Sequence, residues 1–233
     1  MVNIDTVYQK VLAIANKEQR GYITPQEFNL MAHKAQMEIY NNYFHDLKTA
    51  FMKPKTDINH GDEIEILHNK MYPFKTNTSV TLAANISTFT APSNSYFIDT
   101  IYLNDTNNPV TELTEKEFLY SIGNPLTKPT SQRPVYHRTS TTINIYPAPT
   151  TQTVYKVNYW KKPSTPNWGY VVVKGRALYN GSSSASNHFE LHVSEEENLV
   201  SRILQLAGII IQKPGIVEVG QSERAYAKQQ END

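Results

Sequence analysis

At 233 residues the chain is long enough for one large domain or two small ones, and for a core that needs no staple or metal. It has no cysteine, which excludes disulfides and thiolate metal sites and suits a reducing compartment. Its 22 basic and 22 acidic residues leave no cationic excess of the kind that holds a protein to phosphate backbones. The opening MVNIDTVYQK has no charged leader with an apolar run behind it, and the longest apolar stretch, Leu206 to Ile211, is too short to cross a bilayer. These features describe a protein without a membrane span, made in the cytoplasm. Tyrosine is abundant, 15 against 8 phenylalanines. It suits strands and it suits surfaces buried against partners, and both uses stay open.

The first 55 residues predict a helical hairpin. Ile4, Val7, Tyr8, Val11, Leu12 and Ala15 share one face at helical spacing, and Arg20-Gly21 breaks the run. Thr24-Pro25-Gln26-Glu27 then reads as a capping box with proline in the first turn. Phe28, Met31, Ala32, Ala35, Ile39, Tyr43 and Leu47 continue as the apolar stripe of the second helix.

From about Asp62 the period changes to two. Glu63-Ile64-Glu65-Ile66 and Val80-Thr81-Leu82 alternate, and the Thr-, Ile- and Phe-rich runs 86–90 and 96–103 read as strands. The stretch 104–109 reads as a turn. Thr114 to Glu117 is a second capping box, opening a short helix that Gly123-Asn124-Pro125 ends. Strands are expected again at 135–138, 142–146 and 154–160, the last with Tyr155, Val157 and Tyr159 on one face, and a further one at 170–173. Gly181 to Asn187 reads as a flexible polar loop. A third capping box, Ser194 to Glu197, opens a helix whose Leu199, Val200, Ile203, Leu204, Leu206, Ala207 and Ile210 cover so much circumference that it must be buried. Pro214-Gly215 ends it, and a polar tail runs from Gln221.

The fold class expected is α+β: a β-rich, sandwich-like central domain of six to eight strands, with N- and C-terminal helices packed together as a helical bundle. The expected division is 1–55 helical hairpin, 56–192 β-rich domain, and 193–233 terminal helix and tail on the hairpin.

Candidate chemistry is thin. Asn16, Glu18, Arg20, Gly21, Ile23 and Glu27 fall on the spacing of a calcium-binding EF-hand loop, but Arg20 puts a cation on a ligand position and Asn16 removes charge from the first. Glu27 reads better as a helix cap. A second partial match at Asp57 and Asn59 lacks the required glycine and glutamate. His188 and His192 are four apart, a zinc-compatible spacing only on a helix, and they precede the expected helix start. The run Glu195-Glu196-Glu197 complements a helix dipole, and Asp62, Glu63 and Glu65 read as the solvent face of an edge strand. Trp160, Lys161, Lys162, Trp168 and Tyr170 form a basic-aromatic segment that could stack bases or sugars, but it reads better as a strand end with aromatics tucked under a loop. The sequence contains no Gly-x-Ser-x-Gly elbow or glycine-rich phosphate loop. No catalytic, cofactor-binding or metal-ligating residue is assigned, no cofactor is expected, and the expectation is a protein that is not an enzyme.

Several segments carry a resemblance. They are Gly21 to Asn29, Ile143 to Pro149, Val157 to Pro163, Pro166 to Tyr170 and Phe189 to Glu196. Together they are similar to ring proteins of the head-to-tail connector of short-tailed bacteriophages, including crAss-like phages, a group related to tail-tubular and adaptor proteins. The resemblance implies a virion structural protein synthesised in the host cytoplasm and placed in the neck. It implies a homo-oligomeric, twelve-fold ring that stacks on the portal protein or on neighbouring tail rings, with phage DNA passing the lumen without sequence-specific contact. Such a ring needs a heterologous contact that closes. Trp168, Tyr170, Arg224 and Tyr226 are the candidate interface residues. The 181–187 loop and the tail from Gln221 are candidates for ordering on assembly, and deleting Gln221 to Asp233 is expected to impair docking without unfolding the protein. The competing readings are a peripheral receptor- or carbohydrate-binding module of the tail, which would trimerise and expose aromatics in a groove, and a wall-degrading enzyme.

Overall fold

A computed structural model describes residues 1–17, 22–52, 59–182 and 184–210, together with Ser222. The chain forms two compact units, one of Met1–Pro73 and Pro163–Asp233, the other of Phe74–Lys162. The fold is α+β and β-rich, with helices towards both ends of the chain.

In the first unit, helices α1 (Ile4–Lys17) and α2 (Pro25–Met52) form where the apolar spacing placed them. Ile4, Val7, Tyr8, Val11 and Ala15 are buried on α1, and Phe28, Met31, Ala32, Ala35, Ile39 and Tyr43 on α2. The α2 cap is the expected one: Glu27 N–H donates to Thr24 Oγ1 at 3.3 Å, and the Glu27 carboxylate accepts from Thr24 N–H at 2.9 Å. These bonds from Thr24 hold the Glu27 carboxyl below its usual range.

Helix α3 (Asn59–Met71) overturns a sequence expectation, since residues 63–66 are helical and not a strand. Four alternating residues are too few to set a period. Ile64, Leu67, His68 and Met71 recur at helical spacing and are buried or half-buried, while Ile66 is half exposed. Glu65, expected on the face of an edge strand, is exposed on this helix; Asp57 lies outside the described residues.

Helix α5 (Glu196–Ile210) packs on both α1 and α2, as the bundle expectation required. It is buried almost all round, down to Ser201 and Gln205, and the partly exposed Arg202 reaches Glu38 on α2. Its start differs from the expected cap. A short 3-10 turn, Val193–Glu195, precedes it, and His192 serves as the cap by accepting from Ser194 N–H at 3.3 Å. Ser194 and Glu197 form no reciprocal box, because Glu197 is drawn to Lys10 on α1. Glu195 is buried and pairs with the equally buried Lys70 of α3 at 3.1 Å. The N-terminus is stitched to the segment before α5 by backbone bonds between Val2 and Phe189, both 3.2 Å.

The second unit is a seven-stranded sheet. In chain order its strands are β1 (Lys75–Leu82), β2 (Thr88–Thr90), β3 (Ser95–Leu103), β4 (Pro109–Glu112), β5 (Val135–Thr139), β6 (Thr142–Tyr146) and β7 (Thr153–Lys161). Their spatial order is β1-β7-β3-β4-β5-β6-β2. The edge strands β1 and β2 approach each other, so the sheet curls into a near-barrel around one core. Ile98, Ile101, Tyr136, Ile143, Ile145, Tyr155, Val157 and Tyr159 fill it. The shared face foreseen for Tyr155, Val157 and Tyr159 is therefore the inner one. Entry and exit strands pair, Lys75 opposite Trp160, so the unit leaves and rejoins the chain at adjacent points.

All neighbours in this sheet are antiparallel except β4 and β5. A parallel pair needs a crossover, and the crossover here carries helix α4 (Glu115–Gly123). Its capping box is the expected one, with Glu117 N–H donating to Thr114 Oγ1 and Thr114 N–H to the Glu117 carboxylate. Strand β4 falls partly on the stretch read as a turn: Pro109 opens it at a position opposite Tyr102.

The β-rich unit is shorter than the 56–192 span read from the sequence. Residues 59–71 are helix, and the chain from Pro163 onward belongs with the helices. That returning segment holds a separate two-stranded sheet of β8 (Tyr170–Val173) and β9 (Arg176–Tyr179).

Candidate interaction surface

Trp168 anchors the second sheet. It is 3% exposed, stacks on Tyr170 (centroids 5.9 Å) and Tyr179 (5.7 Å), and lies 4.4 Å from the Tyr8 ring of α1. Its indole N–H donates to Asp5 Oδ1 at 2.9 Å, and its backbone N–H donates to Asn29 Oδ1 at 2.7 Å. Trp168 is thus a packing anchor of its own unit, its ring against three aromatics and its indole N–H held by a carboxylate. Tyr170 is half-buried against it. Arg224 and Tyr226 lie outside the described residues.

From this anchor β8 and β9 project as a hairpin. The turn is Lys174-Gly175, both with positive φ (49° and 79°), the two-residue geometry that matches strand twist. Val171 faces Leu178 and Val173 faces Arg176 across the pair. Val171, Val172, Val173 and Leu178 are all exposed, Val172 at 63%. Among the described residues β8 and β9 pair only with each other. An isolated hairpin is marginal in water, and here the stack at its base holds it while its far end offers apolar side chains, Lys174 and Arg176.

The loop after the hairpin makes bonds back to the segment before it. Among its described residues, Asn187 pairs with Asn167 through backbone bonds of 2.8 and 3.0 Å, and Asn167 Nδ2 donates to Ala185 O at 2.7 Å. Ser186 Oγ accepts from Gly169 N–H at 3.1 Å. These bonds join Ala185, Ser186 and Asn187 to the segment Asn167–Gly169 within a single chain. Gly169 is required there, since a Cβ would sit 2.3 Å from the Ala185 carbonyl oxygen.

The sheet unit offers a second surface on its crossover. Phe118 of α4 turns inward onto His137 (4.3 Å) and Tyr146 (5.9 Å, edge-on). Leu119 and Tyr120 therefore face out. The loop after α4 closes on itself, Ser121 Oγ donating to Thr127 O at 3.0 Å and Leu126 N–H to Asn124 Oδ1 at 3.0 Å. It leaves Leu126 95% exposed. Leu119, Tyr120 and Thr127 line an open depression of about 610 Å³. Glu117 lines it too, and Glu115 in the first turn of α4 and Glu112 at the end of β4 are exposed. Thr114, through its hydroxyl and its N–H, holds the Glu117 carboxyl below its usual range.

The remaining candidates have structural duties. His188 Nδ1 accepts from Ile4 N–H at 3.3 Å, and His192 caps the turn before α5. Trp160 is buried in its own unit, with Lys75 Nζ 5.3 Å from its ring centre. The basic-aromatic segment is therefore two separate packing sites. Of the calcium-like loop, Glu18, Arg20 and Gly21 lie outside the described residues, and the Glu27 carboxylate is engaged by Thr24. Sequence reading missed Leu119, Tyr120, Leu126 and Leu178. The signal for the hairpin was present in Val171-Val172-Val173: three consecutive β-branched residues cannot all face inward on a strand.

Among the described residues no helix is long and apolar enough to cross a membrane. No protein-family model and no curated protein matches the chain.

Proposed function

We propose that this chain is a virion structural protein, one protomer of a ring in the head-to-tail connector of a short-tailed phage. In this reading it is an assembly component and not an enzyme. It forms a homo-oligomeric, twelve-fold ring against the portal protein or a neighbouring tail ring, and phage DNA passes through the lumen. The segments similar to connector ring proteins motivate the assignment. The observation that carries it is the β8–β9 hairpin, a rigidly based projection whose exposed Val171, Val172, Val173 and Leu178 need a protein surface to cover them. Formal neutrality fits a lumen that DNA must slide past.

A cryo-EM reconstruction of the virion neck tests the proposal. A closed ring of this chain next to the portal or the next tail protein is the expected result. Density at the tail periphery with three-fold symmetry would instead favour a receptor- or carbohydrate-binding module, and absence from the particle would end the virion reading.

A further inference from the structure

We infer that the β8–β9 hairpin of one copy seats on the α4 surface of the next copy, so that one surface of the protomer recognises a different surface on its neighbour. The inference rests on the ring reading and names its contact. Both surfaces expose clustered apolar side chains, Val171, Val173 and Leu178 on the hairpin and Leu119, Tyr120 and Leu126 at α4. Their charges are opposite. The hairpin from Tyr170 to Tyr179 carries Lys174 and Arg176 and no acid, whereas Glu112 to Thr127 carries three carboxylates against Lys116 alone. All of these charged residues are exposed.

That charge pattern selects the partner. Two hairpins meeting each other would bring four cations together, and two α4 surfaces would bring their carboxylates together. Each surface repels itself and attracts the other, which is the requirement for a heterologous, head-to-tail contact. The shapes agree as well. A two-stranded ribbon with a tight turn is narrow, and the depression beside Leu119 and Tyr120 is open.

The chain lacks cysteine, so engineered thiols report the contact cleanly. Val171→Cys and Leu126→Cys both replace exposed residues and should leave the circular dichroism spectrum unchanged. With a short bis-maleimide, full-length chain carrying both substitutions should give a ladder of covalent oligomers, and a mixture of the two single variants should give dimers only. Adding Lys174→Glu and Arg176→Glu should lower the cross-linking yield about tenfold, and Glu115→Lys in the same chain should restore part of it. Cross-linking of Val171→Cys chains to each other, or yields indifferent to the charge reversals, would overturn the inference. A closed ring in the neck without a ladder would reject this contact and leave the ring reading standing. A ladder whose products form open filaments would support the contact and reject the ring.

Discussion

At Trp168, replacement by alanine removes a ring packed against Tyr8, Tyr170 and Tyr179 and leaves the Asp5 carboxylate without its indole donor. A loss of about 3–5 kcal/mol in urea unfolding is expected. Trp168→Phe, which keeps most of the stack, should lose only about 1 kcal/mol. Lys70 and Glu195 set a second test, because both are buried and paired. Lys70→Met should destabilise by about 3–5 kcal/mol, and the double change Lys70→Met with Glu195→Leu by much less, since the single variant strands a carboxylate that the double variant removes. Tyr136 governs the alkaline limb. Burial first, and then the Glu112 carboxylate that accepts its hydroxyl at 3.1 Å, raise its pKa well above the phenol value. The folded state therefore holds this proton more tightly than the unfolded chain does. The contribution is whole below the ordinary value of about 10 and is lost as pH rises through the folded one. Tyr136→Phe should flatten the alkaline fall in stability, as measured by denaturant midpoints across pH. The packing of aromatics under a loop was the better sequence reading for the segment that holds Trp168, but its partners were not legible. Nor were the roles of Lys70 and Tyr136, because burial depends on which distant element lies over a side chain.

At the scale of elements, the helix starts at Thr24 and Thr114 were legible because a capping box is local: donor and acceptor lie three residues apart and need no tertiary context. Thr24→Ala and Thr114→Ala should each cost about 1 kcal/mol in chemical denaturation. Both Glu27 and Glu117 have lowered pKa values, so what they contribute is present above the ordinary carboxylate range and fades as pH falls through the folded values. The third box failed because a distant lysine, Lys10, competes for Glu197. Residues 63–66 failed for a different reason: two periods fit four residues equally, and only Leu67, His68 and Met71 beyond them decide for the helix. The hairpin turn depends on Lys174 and Gly175 in the left-handed region, so Gly175→Val should unravel β8–β9, seen as lost amide protection there, with the α-helical signal retained.

For the molecule as a whole, the sheet unit is continuous from Phe74 to Lys162, has its own core, and begins and ends on paired strands. Expressed alone, residues 74–162 should fold cooperatively, which far-UV circular dichroism and thermal melting would show. The helical unit is built from two stretches far apart in sequence and should not survive removal of either, because α5 buries its circumference against α1 and α2.

Composition and local pattern alone determined the α+β class, the faces of α1, α2 and α5, the inner face of β7 and two of three helix caps. Each of these depends on residues within one or two turns of one another, where spacing and hydrogen-bond reach are set by the backbone itself. Tertiary structure decided the rest: the return of the chain from Pro163 to the helices, the partners that bury Trp168, the pairing of Asn187 with Asn167, and the exposure of the hairpin and of Leu126. Those outcomes depend on which distant segment covers a side chain, and an apolar residue carries the same signal in sequence whether it is covered by its own chain or left for a partner.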